Sequence, residues 1–236
     1  MNERFKRTEL LIGCAAMDAL KNSKVIVFGA GGVGGAAIEA LARAGVGEIH
    51  VVDPDVLSES NINRQILATS ATVGKSKAKC AAERIGEINP ECRAVVHELF
   101  YTKEDKGGIV LADFDFVIDA IDTVSSKLTL IEEATESGVP IICSMGTGNK
   151  LDPTRLTVSD ISKTNTCPLA AVIRRECRRR GIRRLKVVWS DEIPRRAVVD
   201  EGEDHGRHAP GSISFVPPVA GYVAAGEAIK AIAGIE

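Results

Sequence analysis

Six residues, Gly29-Ala-Gly31-Gly32-Val-Gly34, follow the apolar run Val25-Ile-Val-Phe28 and lead into an apolar segment that ends near Arg43. A buried strand, a glycine turn and a helix in that order limit the chain to few folds. Gly29 closes the strand. Gly31 and Gly32 let backbone approach an anion without a Cβ, and Gly34 permits close packing of helix on strand. The unpaired N–H groups of the helix start face that anion. Such a loop serves NAD, FAD and ATP alike. The next segment narrows the choice. A second strand, Glu48 to Val52, ends at Asp53, where an acid can accept hydrogen bonds from ribose hydroxyls or, as the alternative, cap the turn before Pro54. Ser60-Asn61-Ile-Asn63-Arg64-Gln65 follows. A redox enzyme has no use for an amide and guanidinium cluster there. Cleavage of the α–β bond of ATP does, because charge builds on the phosphates in the transition state.

The 236 residues, 44% of them apolar and 26% charged, have ordinary globular composition. A net charge of −2 gives no whole-chain sign of nucleic-acid binding. The polar start Met1-Asn-Glu-Arg-Phe-Lys-Arg7 is not a signal peptide. No apolar run approaches a membrane span. The expected location is the cytosol, without membrane attachment. Cys14, Cys80, Cys92, Cys143, Cys167 and Cys177 include no C-x-x-C pair, which argues against a zinc ribbon and for reduced, mostly buried thiols.

Further strands are expected over 94–99, 114–120, 139–143, 155–160, 185–189 and 212–215. Helices are expected over 34–43, 75–88, 125–137, 169–180 and 217–232. The alternation predicts an α/β, Rossmann-like, mostly parallel sheet with helices on both faces, plus additional C-terminal strands and a closing helix. One domain over 1–236 is expected, with 161–211 as a less regular insert or a region that faces nucleic acid through its arginines. Asp191 to Gly211, rich in charge and glycine, reads as a mobile surface loop. The stretch Pro54 to Gly74 is long for a connection, and such stretches are usually functional.

Three other groups stand at the expected carboxyl ends of the strands or near them. Asn61 and Arg64, three apart on a helical turn, face the same way and can hold a bent triphosphate with Gln65. Lys77 opens a helix, a position the helix dipole disfavours for a cation unless a phosphate is present. Lys75 and Lys79 fit ordinary surface lysines equally well. Asp119 and Asp122 end a strand; one could cap the next helix, and two suggest that one holds Mg²⁺. Farther on, Leu169, Ile173 and Cys177 form a stripe, with Arg174, Arg175, Arg178 and Arg179 opposite. A solvated face is the usual fate of a charge run. Here only Glu176 interrupts the sign between Arg174 and Arg180, which favours a phosphate backbone as partner.

Together, Gly-x-Gly-Gly-x-Gly, Asp53, Ser60-Asn-Ile-Asn-Arg-Gln65, Val73-Gly-Lys-Ser-Lys77, Asp119-Ala-Ile-Asp122 and Arg4-Phe-Lys-Arg7 resemble the adenylating enzymes related to ubiquitin-activating enzyme, the ThiF/MoeB/HesA superfamily. The match covers roughly the first 160 residues. By that resemblance Gly29, Gly31, Gly32, Gly34, Asp53, Asn61, Arg64, Gln65 and Lys77 bind ATP. Arg64, Lys77 and Asp122 carry the chemistry, with Asp122 on Mg²⁺. Arg7 reaches the other subunit's site, so a homodimer is implied. Ile88-Asn-Pro-Glu-Cys92, Asp152-Pro-Thr, Asp160-Ile-Ser-Lys-Thr164 and Pro168-Leu-Ala-Ala are most similar to the superfamily's tRNA threonylcarbamoyladenosine dehydratases. That branch implies ATP-dependent cyclisation of threonylcarbamoyladenosine in tRNA through an acyl-adenylate. It leaves room for a sulfur-transfer partner and an alkali ion. Some members carry a cysteine where this chain reads His208-Ala-Pro-Gly-Ser212, which puts a thioester step there in doubt.

Three rival readings make different demands. Adenylation of a ubiquitin-like sulfur carrier goes with two C-x-x-C pairs that this chain lacks. A dehydrogenase leaves Asn61–Gln65 and Asp122 without a task. An idle RNA-binding module needs no ATP site.

Overall fold

The computed structural model describes residues 3–196 and 210–235. Strands form at the apolar runs: β1 Lys24–Phe28, β2 Glu48–Val52, β3 Arg93–His97, β4 Phe116–Asp119, β5 Ile141–Ser144, β6 Leu156–Asp160 and β7 Lys186–Ser190. The helices are α1 Lys6–Ile12, α2 Cys14–Lys21, α3 Gly32–Ala44, α4 Lys77–Ile88, α5 Val124–Ser137, α6 Pro168–Arg179 and α7 Val216–Ala233. The sheet order is β3-β2-β1-β4-β5-β7-β6. Every neighbouring pair is parallel except β6 with β7.

Inner strands of such a sheet are covered on both faces, so they read as unbroken apolar runs. Val25 and Val27 of β1 enter the core beneath α3, α4 and α7, and Ile26 and Phe28 enter the core beneath α5. A third cluster joins α5 and α6 to β5 and β7 through Ile131, Ile173, Cys177, Val187 and Trp189. The chain runs from β1 outward to β2 and β3, then crosses to β4 on the other side. That reversal opens a crevice at the carboxyl ends of β1 and β4, where ligands bind in sheets of this kind.

Helix α7 lies on α3 through small residues, among them Ala220, Ala224 and Ala225. At Gly221 a Cβ would stand 2.1 Å from the Val33 carbonyl oxygen and 3.0 Å from Ala36 Cβ. Gly221→Val is therefore expected to destabilise the fold by about 3 kcal/mol, the upper part of the usual overpacking range. Urea denaturation checks this, and an unchanged midpoint would mean that the two helices spread at no cost.

Three local readings differ from the sequence expectations. The chain before β1 forms α1 and α2, whose apolar pattern is too short to announce them. Residues 212–215 are not a strand. Gly211 O instead accepts the Asn149 amide, Ser212 O accepts Asn63 Nδ2, and Phe215 caps α7, while β6 already occupies the sheet edge beside β7. Within 161–211 the chain forms α6 and β7, and β7 is an interior strand. Most of the expected surface loop, 197–209, lies outside the described residues, as do His208 and Ala209. All six cysteines are free, and all but Cys14 are buried.

Candidate active site

The crevice holds a cavity of about 610 Å³ lined by residues from five strand ends. Its floor is the glycine turn. Gly29 has φ +89°, and a Cβ there would stand 2.8 Å from the Ala120 carbonyl oxygen. At Gly34 a Cβ would fall 1.7 Å from Gly29 O. These two glycines let β1, β4 and α3 meet closely enough to aim the start of α3 into the cavity, as their spacing predicts. Gly31 and Gly32 line it.

Asp53 leaves the end of β2 and is 5% exposed. Its Oδ2 accepts the Ala30 amide at 2.6 Å and its Oδ1 accepts the Asp55 amide at 2.9 Å. Burial pushes this carboxyl above its ordinary range; the two amide bonds and the Lys77 charge pull the other way without cancelling the effect. Each oxygen keeps a further lone pair, so the carboxylate can still accept from a ligand.

The long connection after Asp53 folds back on itself. Leu57 N donates to Lys75 O and Gly74 N donates to Leu57 O, both at 2.8 Å. This closure returns the chain to the site, where Lys77, the first residue of α4, is 8% exposed. Its Nζ lies 2.8 Å from Asp55 Oδ2. Asp55, two residues beyond Asp53, is a site residue that the sequence reading passed over. A lysine at a helix start thus has an acid as counter-charge, and an arriving phosphate would compete for it.

Asn61, Arg64 and Gln65 line the cavity together. Asn61 ends a short 3₁₀ turn in which its Oδ1 accepts the Ser58 amide. Arg64 Nη1 donates to Ser60 O and Asn63 Oδ1, both at 2.9 Å. Both acceptors are neutral, so the guanidinium charge is available to an anion. Gln65 is 6% exposed, and its Oε1 has no hydrogen-bond partner.

The two acids of Asp119-Ala-Ile-Asp122 part company. Asp119 is wholly buried, with its Oδ2 2.6 Å from Lys127 Nζ. Lys127 also donates to Ser144 O at 3.1 Å, and Asp119 Oδ1 accepts the Ile121 amide at 3.0 Å. Asp119 therefore holds the turn, and Asp122 is exposed at the cavity. Lys127, eight residues from its partner, gave no sign of this in the sequence because α5 reads there as an ordinary amphipathic helix. Among the described residues no group of three His, Cys, Asp or Glu could hold a metal by itself. One carboxylate with phosphate oxygens is nonetheless a donor set that suits Mg²⁺.

The remaining candidates lie elsewhere. Arg7 is exposed on α1 and does not line the cavity of its own chain. On α6, Arg174 Nη1 is committed to Thr164, donating to its carbonyl at 2.7 Å and its hydroxyl at 2.6 Å. Arg175 and Arg179 flank Glu176, and Arg178 is exposed. The first turn of α6 meets the cavity through Leu169. No helix among the described residues is long and apolar enough to cross a membrane.

Comparison with known proteins agrees with this geometry. The ThiF family model matches residues 5–236. A tRNA threonylcarbamoyladenosine dehydratase of Bacillus subtilis is 44% identical over 97% of this chain and 94% of its own length. The E. coli tRNA N6-threonylcarbamoyladenosine dehydratase crystallised with AMP superposes with a TM-score of 0.89 at 35% identity, covering 98% of this chain and 94% of that one. Its complex with ATP gives a TM-score of 0.85, also at 35% identity, over 98% and 93% of the two chains. The chain belongs to the ThiF family, among its tRNA threonylcarbamoyladenosine dehydratases.

Proposed function

We propose that this chain uses ATP to dehydrate threonylcarbamoyladenosine in tRNA, closing the linear threonylcarbamoyl group into a ring. The observation that carries the reading is the convergence of the α3 N-terminus, Asp53, Arg64, Lys77 and Asp122 on one cavity, in a chain 44% identical to a protein bearing that activity's name.

The threonyl carboxylate attacks the α-phosphorus of ATP. An O–P bond forms, the bond to the bridging oxygen of the β-phosphate breaks, and pyrophosphate leaves. Arg64 and Lys77 offset the negative charge that develops, and Asp53 holds the ribose. Asp122 would hold Mg²⁺, which supplies further charge neutralisation when bound. The substrate's own carbamoyl group then attacks the acyl carbon, loses a proton and expels AMP. Because that nucleophile is internal, with effective molarities that can reach about 10⁵ M or more, the ring closes without an enzyme thiol. A sulfur-transfer partner and an alkali ion have no part in these two steps. Arg7 of a second copy would complete the phosphate site, which makes the working unit a homodimer. The test is AMP and pyrophosphate release in one-to-one ratio, dependent on tRNA that carries the modification. Release at the same rate with unmodified tRNA would overturn the reading.

The chain acts as one domain, with 161–211 as its tRNA side. The exposed arginines of α6 support a backbone contact, with Arg175 and Arg178 the most available, since Arg179 is held closer to Glu176. Replacing both by Glu is expected to weaken tRNA binding and to make its salt dependence shallower by roughly one unit of slope per lost phosphate contact. ATP binding should be unaffected. Titrations at several salt concentrations check this, and an unchanged slope would remove α6 from the interface.

A further inference from the structure

The lining of the cavity divides by chemistry. On the side of α3 and α4 it presents Asn61, Arg64, Gln65 and Lys77; on the side of α5 and the chain after β3 it presents Leu99, Phe100, Tyr101 and Ile121, with the polar Asp122 and Thr123 where α5 begins. Phe28, also in the lining, meets the Tyr101 ring edge to face at 4.8 Å between centroids. The Tyr101 hydroxyl is directed to Glu133, which does not line the cavity. A polyphosphate belongs by charge to the first side. A heteroaromatic base, apolar on its faces and polar at its edge, belongs to the second.

One polar atom on that second side has no partner. Ser126, the third residue of α5, lines the cavity and is 3% exposed. Its Oγ makes no hydrogen bond. Thr123, at the cap of the same helix, turns its hydroxyl to Asp122 at 3.4 Å and leaves Ser126 unengaged. Among the described residues three buried side-chain atoms lack a partner, and two of them, Gln65 Oε1 and Ser126 Oγ, belong to residues of this one cavity. Buried hydroxyls are nearly always paired, so an orphan beside a cavity calls for a ligand or a water.

We propose that Ser126 Oγ accepts a hydrogen bond from the exocyclic amine of the adenine base, making Ser126 a recognition residue for the nucleotide. The inference rests on the reading of this cavity as the ATP site. A hydroxyl here is a costly choice for structure alone, since an apolar side chain would satisfy the same walls. Removing an unpaired hydroxyl does not destabilise the free protein, which separates recognition from a structural role.

The experiment is equilibrium binding of ATP and of purine riboside triphosphate, which lacks the amine, to the full chain and to Ser126→Ala and Ser126→Thr. Ser126→Ala should weaken ATP roughly three- to tenfold, the range of a single neutral hydrogen bond, and change the amine-free nucleotide by less than about twofold. Ser126→Thr, which keeps the hydroxyl, should restore ATP binding. The melting temperature of nucleotide-free Ser126→Ala should not fall. Equal losses for both nucleotides, or none for ATP, would overturn the proposal and leave a water as the hydroxyl's partner. Failure of the unsubstituted chain to bind ATP at all would overturn the ATP-site reading along with it.

Discussion

Replacing Lys127 by methionine is expected to cost about 3–5 kcal/mol of folding stability, the usual result of removing one partner of a buried ion pair. Lys127 and Asp119 are both fully buried, 2.6 Å apart. Methionine keeps the length and apolar stem of the side chain but leaves the Asp119 carboxylate in the core without a counter-charge. Water cannot reach it, and the Ile121 amide and the neighbouring Cys143 thiol, both neutral, cannot offset the loss. For a chain of this size the melting temperature should fall by roughly 6–20 °C. Lys127→Met combined with Asp119→Asn should recover much of that loss, because no charge is then stranded. Urea and thermal unfolding of both variants check this. A single variant within about 1 kcal/mol of the unsubstituted chain would show that solvent or another cation reaches Asp119. The pair also holds β4 to β5, since Lys127 donates to Ser144 O. Some activity should therefore be lost with the fold through displacement of the Asp122 turn.

The second large effect falls on rate and spares stability. Arg64→Ala should lower the rate of AMP formation by about 10²–10³-fold, the range found when one preorganised donor to transition-state charge is removed. Arg64 is only partly buried and donates to two neutral oxygens. Losing those bonds should shift stability by no more than about 0.5–1.5 kcal/mol. Fold and catalysis thus separate at this position, whereas Lys127→Met joins them. Single-turnover rates at saturating ATP, measured beside a melting curve, distinguish the two behaviours. Near-normal turnover with an unchanged melt would remove Arg64 from the phosphate site.

Much of this arrangement was legible in the sequence, for identifiable reasons. The strands of the sheet centre announce themselves because both faces are covered, so Val25–Phe28 carries no polar residue and Ile49–Val52 is broken only by His50. Gly29 and Gly34 are required by steric contacts that any side chain would violate. The cavity residues Asp53, Asn61, Arg64, Gln65, Lys77 and Asp122 stand at motif spacings and meet as those spacings imply. What the sequence hid depends on pairing across the fold. Whether Asp119 or Asp122 faces the cavity is decided by Lys127, and the partner of Lys77 is decided by how the 54–74 connection folds back. The 212–215 segment has strand-like residues, yet the carbonyls of Gly211 and Ser212 at its start are taken by Asn149 and Asn63. Of the four arginines singled out on α6, Arg174 is drawn to Thr164 by a turn that no helical periodicity encodes.

The most direct measurement is mass spectrometry of nucleosides from tRNA bearing threonylcarbamoyladenosine, after incubation with this protein, ATP and Mg²⁺. The expected product is lighter by one water, forms only with ATP, and forms about 10²–10³-fold more slowly with Arg64→Ala. An unchanged nucleoside, under conditions where the protein binds both ATP and the tRNA, would contradict the proposed reaction.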